Sequence, residues 1–258
     1  MGFLSDLVAE RRRQLEGHPL DDASLLARVM AGPPPRDFVG ALRARTPAVI
    51  AEIKRASPSA GAIAERDPRE RARAYEAAGA AAVSVLTEPI HFHGSLADLM
   101  AARLACELPI LRKDFLLTPS ELIESRASGA DAVLLIASAL SEHELPAMVA
   151  AAGDLGLGAL VEAHSDQDLD RALAVGAEVI GVNARDLETL EVDVDRALAR
   201  LGRIPDDRVR VMESGISTPD QVRAAVDAGA SAILVGETLM RADDPREALD
   251  VLMGGVAR

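Results

Sequence analysis

Eight short apolar runs, each ending in a polar or charged residue, predict an α/β protein: a (β/α)8 TIM barrel with an N-terminal helical extension. Three observations carry that prediction. The first is the runs themselves: VIAEIK (49–54), AAVSVLT (81–87), PILRKD (109–114), DAVLLIAS (131–138), LGALVEAH (157–164), EVIGVNA (178–184), RVRVMESG (208–215) and SAILVGE (231–237). The second is a set of helix start signals between them. The third is a helix stop that repeats, with Gly79, Gly129, Gly176 and Gly229 recurring at about every second strand–helix unit. An open doubly wound sheet is the alternative, but it usually has fewer strands and more often begins with a glycine-rich turn after the first.

Residues 1–46 read as a helical extension over the barrel mouth, in two or three pieces. Leu4, Leu7, Val8, Arg11 and Leu15 have an amphipathic spacing, and GPPPR at 32–36 is a break. The barrel then occupies 47–258. After the first run, DPRE at 67–70 offers an N-cap, a first-turn proline and an acidic third residue, and AAGAAAV closes that helix into the second run. TPSE (118–121) starts the helix after the third run, and ASGADAV closes it into the fourth. SEHE (141–144) follows the fourth run, and AVGAEVI leads into the sixth. TPDQ (218–221) follows the seventh, DAGASAI leads into the eighth, and a second DPRE (244–247) starts the last helix.

A chain of 258 residues can bury roughly 70–75% of the surface its unfolded form exposes, enough for one large core. Apolar residues are 49% of it, with no Trp, one Tyr and four Phe, so Ala, Val, Leu and Ile fill that core. This suits buried strands covered by helices. No apolar run approaches the length of a membrane span. The N-terminus is charged within its first turns, and Asp6 stands where a myristoylation signal wants Ser or Thr. A cytoplasmic location is expected. Cys106 is alone, which rules out an internal disulfide and a cysteine zinc site. The net charge of −13 argues against nucleic acid or an anionic membrane as a partner, yet leaves room for a small anion held by local donors. A monomer is expected, with a weak homodimer as the alternative.

The stretch IAEIKRASPSAG (50–61) poses the functional question. In an extended chain Ile50, Glu52 and Lys54 share a face, and burying charge is costly unless it is paired. Of 28 basic residues only Lys54 and Lys113 are lysines. Arginine can replace a surface lysine cheaply, but not one that must release a proton or offer a compact ammonium. Active sites of this barrel lie at the C-terminal strand ends. There the inward positions are Glu52 and Lys54 on strand one, Lys113 on strand three, Glu162 on strand five, Asn183 on strand six and Glu213 on strand seven. Each alone reads equally well as a structural ion pair; together they point to a reaction site. After strands seven and eight, Ser214, Gly215, Gly236 and Glu237 fall in the loops that often hold a phosphate through backbone N–H groups.

The motifs IAEIKRASPS (50–59), SVLTE (84–88), FHGS (92–95), LRKDF (111–115), LVE (160–162), GVNARDL (181–187), ESGI (213–216) and LVGE (234–237) together resemble the indole-3-glycerol phosphate synthase family. The strand-one motif is the specific one. The resemblance implies a barrel enzyme of tryptophan biosynthesis, working without metal or organic cofactor on a small phosphorylated substrate. That substrate is 1-(2-carboxyphenylamino)-1-deoxyribulose 5-phosphate, and the products are indole-3-glycerol phosphate, CO2 and water. It further implies Lys113 as general acid, Glu162 as base for the dehydration, and Lys54 as the holder of the substrate carboxylate and an alternative proton donor. Glu52 would orient Lys54, Asn183 would bind a hydroxyl, and Glu213 would position the lysines. Ser57 and Arg185 would line the phosphate pocket, with Phe92, Phe115, Leu134 and Leu187 around the aromatic ring. Many members read SPSKG after strand one; Ala60 stands here in place of that lysine.

Three rivals fare worse. His91-x-His93 resembles the metal pair of barrel hydrolases, but theirs closes strand one and needs a strand-six His and a strand-eight Asp, where this chain has Asn183 and Glu237. A phosphosugar isomerase with a Cys/Asp pair would want its cysteine at the end of strand one, whereas Cys106 precedes strand three. A non-catalytic barrel binding a phosphorylated metabolite has no need of so many charged strand ends.

Overall fold

The computed structural model describes residues 2–254. Eight parallel strands close into a barrel: β1 (Ala48–Ile53), β2 (Ala82–Leu86), β3 (Ile110–Lys113), β4 (Ala132–Ile136), β5 (Gly158–Ala163), β6 (Val179–Asn183), β7 (Val209–Glu213) and β8 (Ala232–Val235). Strand β1 completes the ring by pairing with β8 through Ala48↔Ala232 and with β2 through Ile50↔Ala82. Each coincides with one of the eight apolar runs to within one or two residues at either end, β1 starting one residue before its run. The polar residues ending a run, such as Lys54 and Ser138, leave the ladder to enter the loops.

The barrel is covered by α4 (Pro68–Ala77), α5 (Leu96–Ala105), α6 (Pro119–Ala127), α7 (Glu144–Asp154), α8 (Asp166–Ala174), α9 (Val194–Leu201), α10 (Pro219–Asp227), α11 (Glu237–Arg241) and α12 (Pro245–Met253). Their starts are chemically marked. Asp67 and Asp244 accept backbone N–H bonds, and Thr118–Glu121 and Thr218–Gln221 form reciprocal capping boxes. Ser165–Asp168 adds one that sequence reading did not anticipate. In SEHE, Ser141 and Glu144 do exchange bonds, at 2.8 and 3.2 Å, but regular helix begins only at Glu144. The four stop glycines have φ between 70° and 98°. The short hairpin pairing 56–57 with 61–62, and α11, were also not anticipated.

The N-terminal segment divides into α1 (Phe3–Gly17), α2 (Asp22–Ala31) and α3 (Phe38–Arg43). Only α1 stands at the mouth. Its first N–H groups donate to Glu188 and Leu187 oxygens, and Arg11 and Arg12 pair with Glu121 and Glu144. Helix α2 lies along α6, where Ser120 donates to Asp22. Helix α3 closes the opposite end: buried Phe38 packs beneath Gly158, the first residue of β5, and Arg36 bonds Asp131 and Leu108 in the loops entering β4 and β3. The expectation that all of 1–46 covers the mouth therefore differs from the structure, because Phe38 and Leu42 are apolar enough to floor the barrel.

The interior is filled by Ile50, Leu111, Leu160 and Val211, all fully buried. Strand ends are thereby held in register: Asn183 lies opposite Glu213, and Glu162 opposite Gly181.

Candidate active site

The inward strand-end side chains form two ammonium–carboxylate clusters at the mouth. On β1 and just after it, Glu52 Oε1 stands 2.8 Å from Lys54 Nζ. The β1 backbone is pinned there by Tyr75 of α4, whose hydroxyl donates to the Glu52 carbonyl. Opposite, Lys113 Nζ lies 2.8 Å from Glu162 Oε2 and 3.2 Å from Glu213 Oε2. Two small residues make this possible. A Cβ on Gly181 would collide with the Glu213 carboxylate, and one on Gly236 would press on Glu52 and on the Lys54 terminus at 3.0 Å.

Burial and charge act against each other in this cluster. Burial by itself would depress the Lys113 ammonium, but the carboxylates of Glu162, Glu213 and Glu52 outweigh it and raise its pKa above the ordinary lysine value. Burial also favours neutral carboxyls. For Glu162, Lys113 and His164 overcome that penalty and hold it well below its ordinary value. For Glu213, burial and the neighbouring Glu162 charge prevail over Lys113, so it is raised well above. Within one contact cluster the environment thus pushes the two carboxyls apart, Glu162 toward its charged form and Glu213 toward its neutral one.

All of the residues singled out in the sequence line one cavity of about 560 Å³: the charged cluster, Ser57, Phe92, Phe115, Leu134, Asn183, Arg185, Leu187, Ser214, Gly215, Gly236 and Glu237. Its aromatic wall is Phe92 and Phe115, ring centroids 6.2 Å apart. Glu88 gathers the N–H groups of Ile90, His91 and Phe92 and so shapes the loop carrying that wall. Asp114, held by Thr87 and Arg112, accepts from the Phe115 N–H. Asn183 Oδ1 accepts from the Arg185 N–H, and Arg185 bonds Leu190 O across the loop after β6. On the far side, Ser214 adopts φ 62°, a conformation uncommon outside glycine. The Glu237 carboxylate is turned onto Arg241 at 3.0 Å.

Sequence reading missed three participants. Phe3 of α1 lines the cavity and meets His91 edge-on, with centroids 5.0 Å apart. Arg241 lines it too. His164 stands behind Glu162, a position its two-residue spacing along the strand could have flagged. His91 and His93 serve the β2–α5 loop, and no group of three or more His, Cys, Asp or Glu among the described residues is arranged to hold a metal ion. No described helix is long and apolar enough to cross a membrane.

The sequence pattern of the family described as indole-3-glycerol phosphate synthase matches residues 4–252. Proteins of that name from Micrococcus luteus and Nocardioides sp. are 49% and 48% identical to this chain. The alignments cover 96% of both chains in the first case, and 98% of this chain and 99% of the relative in the second. One from Mycobacterium avium is 50% identical over 90% of this chain and 86% of its own length. Among solved structures, 3-hexulose-6-phosphate synthase superposes with a TM-score of 0.63 at 18% identity, covering 81% of this chain and 100% of that one. Thiamine phosphate pyrophosphorylase from Pyrococcus furiosus gives 0.59 at 16%, covering 82% and 96%. At such identities the likeness is one of fold.

Proposed function

The chain belongs to the indole-3-glycerol phosphate synthase family, carbon–carbon lyases of tryptophan biosynthesis, and from that premise we propose how its barrel mouth performs the reaction. The substrate is 1-(2-carboxyphenylamino)-1-deoxyribulose 5-phosphate. The observation that carries the reading is the pair of ammonium–carboxylate clusters facing each other across one cavity, between an aromatic wall and glycine loops. A cavity of about 560 Å³ suits a ligand of this size.

The phosphate sits at Ser214, Gly215, Gly236 and Glu237, with Ser57 and Arg185 at the rim. Glu237 contributes its N–H, since its carboxylate is occupied by Arg241. The anthranilate ring lies against Phe92, Phe115, Leu134 and Leu187, with Phe3 of α1 above it, and Lys54 receives the ring carboxylate. Lys113 donates its proton to the C2 carbonyl oxygen as the carboxyl-bearing ring carbon attacks C2. The carboxylate then leaves as CO2, and its bonding electrons restore the aromatic ring. The C2 hydroxyl takes a second proton from Lys54, the alternative donor, and departs as water while Glu162 takes the proton that the new five-membered ring must lose. Each such acid or base supplies roughly 10²–10⁴-fold. Glu213, in contact with Lys113, holds that ammonium in place. Asn183 holds a substrate hydroxyl.

The test is single-turnover indole formation with Lys113→Met beside wild type. The variant should bind substrate and fail to close the ring; a near-wild-type rate would remove Lys113 from the acid role.

A further inference from the structure

His164 follows β5 and has the same strand parity as Glu162. Its side chain is only 7% exposed. Its backbone N–H is fixed by Asp168 Oδ2, part of the α8 cap. The ring Nε2 lies 3.0 Å from Glu162 Oε1, off the line a hydrogen bond needs, and neither ring nitrogen nor that oxygen has another partner. Two buried polar groups thus face only one another, an arrangement that is costly unless they interact. Lys113 occupies the other carboxylate oxygen, Oε2.

We infer that His164 is a positioning residue for Glu162, gripping Oε1 from behind while Lys113 holds Oε2. The inference rests on Glu162 being the base. Its logic lies in the reaction cycle. When Lys113 gives up its proton, Glu162 loses the positive charge beside it, and a second donor that never touches substrate keeps it ionised and oriented. The titratable groups around His164 are Glu162 on β5 at its ring, Asp168 on α8 at its backbone N–H and Asp186 after β6, with Lys113 and Glu213 beyond Glu162.

The test compares single-turnover rates of wild type, His164→Ala and His164→Gln between about pH 5 and 8, the range in which an ordinary carboxyl is ionised and a lysine protonated. Wild type should be flat across that range. The alanine variant should be about tenfold slower with unchanged substrate affinity, a fraction of what the base itself supplies. Its rate should also fall at the acid end, because a carboxylate without its donor takes up a proton at higher pH. Glutamine places an N–H near Nε2 and should restore both rate and profile. An unchanged alanine variant, a slow one with a flat profile, or glutamine no better than alanine would each overturn the inference. If the alanine chain does not fold, 15N NMR of the wild type decides: Nε2 of His164 must carry a proton at neutral pH, and a bare Nε2 overturns the inference. A wild-type chain that makes no indole would instead overturn the function on which it rests.

Discussion

Lys113 is held between two carboxyls that burial pushes the same way and neighbouring charges push apart, Glu162 down and Glu213 up. In the proposed mechanism that separation lets one site offer an acid and a base at the same pH. Lys113→Met removes the cation and should lower turnover by roughly 10²–10⁴-fold while leaving substrate affinity largely intact, read by single-turnover kinetics and equilibrium binding. Gly181→Ala would push a methyl into the Glu213 carboxylate and should cut turnover with little change in urea midpoint, since β6 loses no hydrogen bond. At this scale strand parity was informative: Glu52, Lys54, Lys113, Glu162, Asn183 and Glu213 all stood out as polar residues in inward positions. His164 shares that parity, but it lies past the end of β5, where spacing alone does not show that its ring turns toward a carboxylate rather than solvent. Phe3 could not stand out, because its neighbours in the site lie far along the chain.

Helix α1 reaches the cavity through Phe3 and is tied down by Arg11–Glu121 and Arg12–Glu144. We propose that it helps bind the aromatic half of the substrate. Deleting residues 1–17 should leave a folded barrel with raised KM and weakened affinity; unchanged KM would refute the role. Deleting all of 1–45 is a different experiment, since it also removes Phe38 and Leu42 from the barrel floor. Glu144 adds a pH handle. Hydrogen bonds from Arg12 and Ser141 lower its pKa from 4.5 to about 2. A depressed carboxyl contributes stability that is present above the ordinary value and lost as pH falls through the folded one. Amide exchange in α1 should therefore quicken between pH 4.5 and 2 ahead of the strands. The strands and caps were legible because buried parallel strands are continuous apolar runs, and helix ends have their own chemistry. The 56–57/61–62 hairpin and α11 were too short to show a period, and the separate docking of α1, α2 and α3 is set by tertiary packing.

The molecule as a whole owes the site to closure of the barrel, which brings β1, β3, β5, β6 and β7 to one rim. Part of the wall behind that rim is polar. Arg112, 2% exposed, bonds Thr87, Asp114, Glu124 and Ser125, joining β3 to the end of β2 and to α6. Arg112→Ala should destabilise the fold by about 3–5 kcal/mol, because Asp114 is left buried and uncompensated; the urea midpoint reads this. The barrel is shared with 3-hexulose-6-phosphate synthase at 18% identity, so the fold alone could not have identified the reaction. Whether this mouth closes an indole ring by acid–base chemistry is decided by indole fluorescence after mixing the purified chain with 1-(2-carboxyphenylamino)-1-deoxyribulose 5-phosphate in the presence of a chelator. Indole-3-glycerol phosphate should appear with one CO2 for each indole formed; a folded chain that binds this substrate and releases neither would rule that chemistry out.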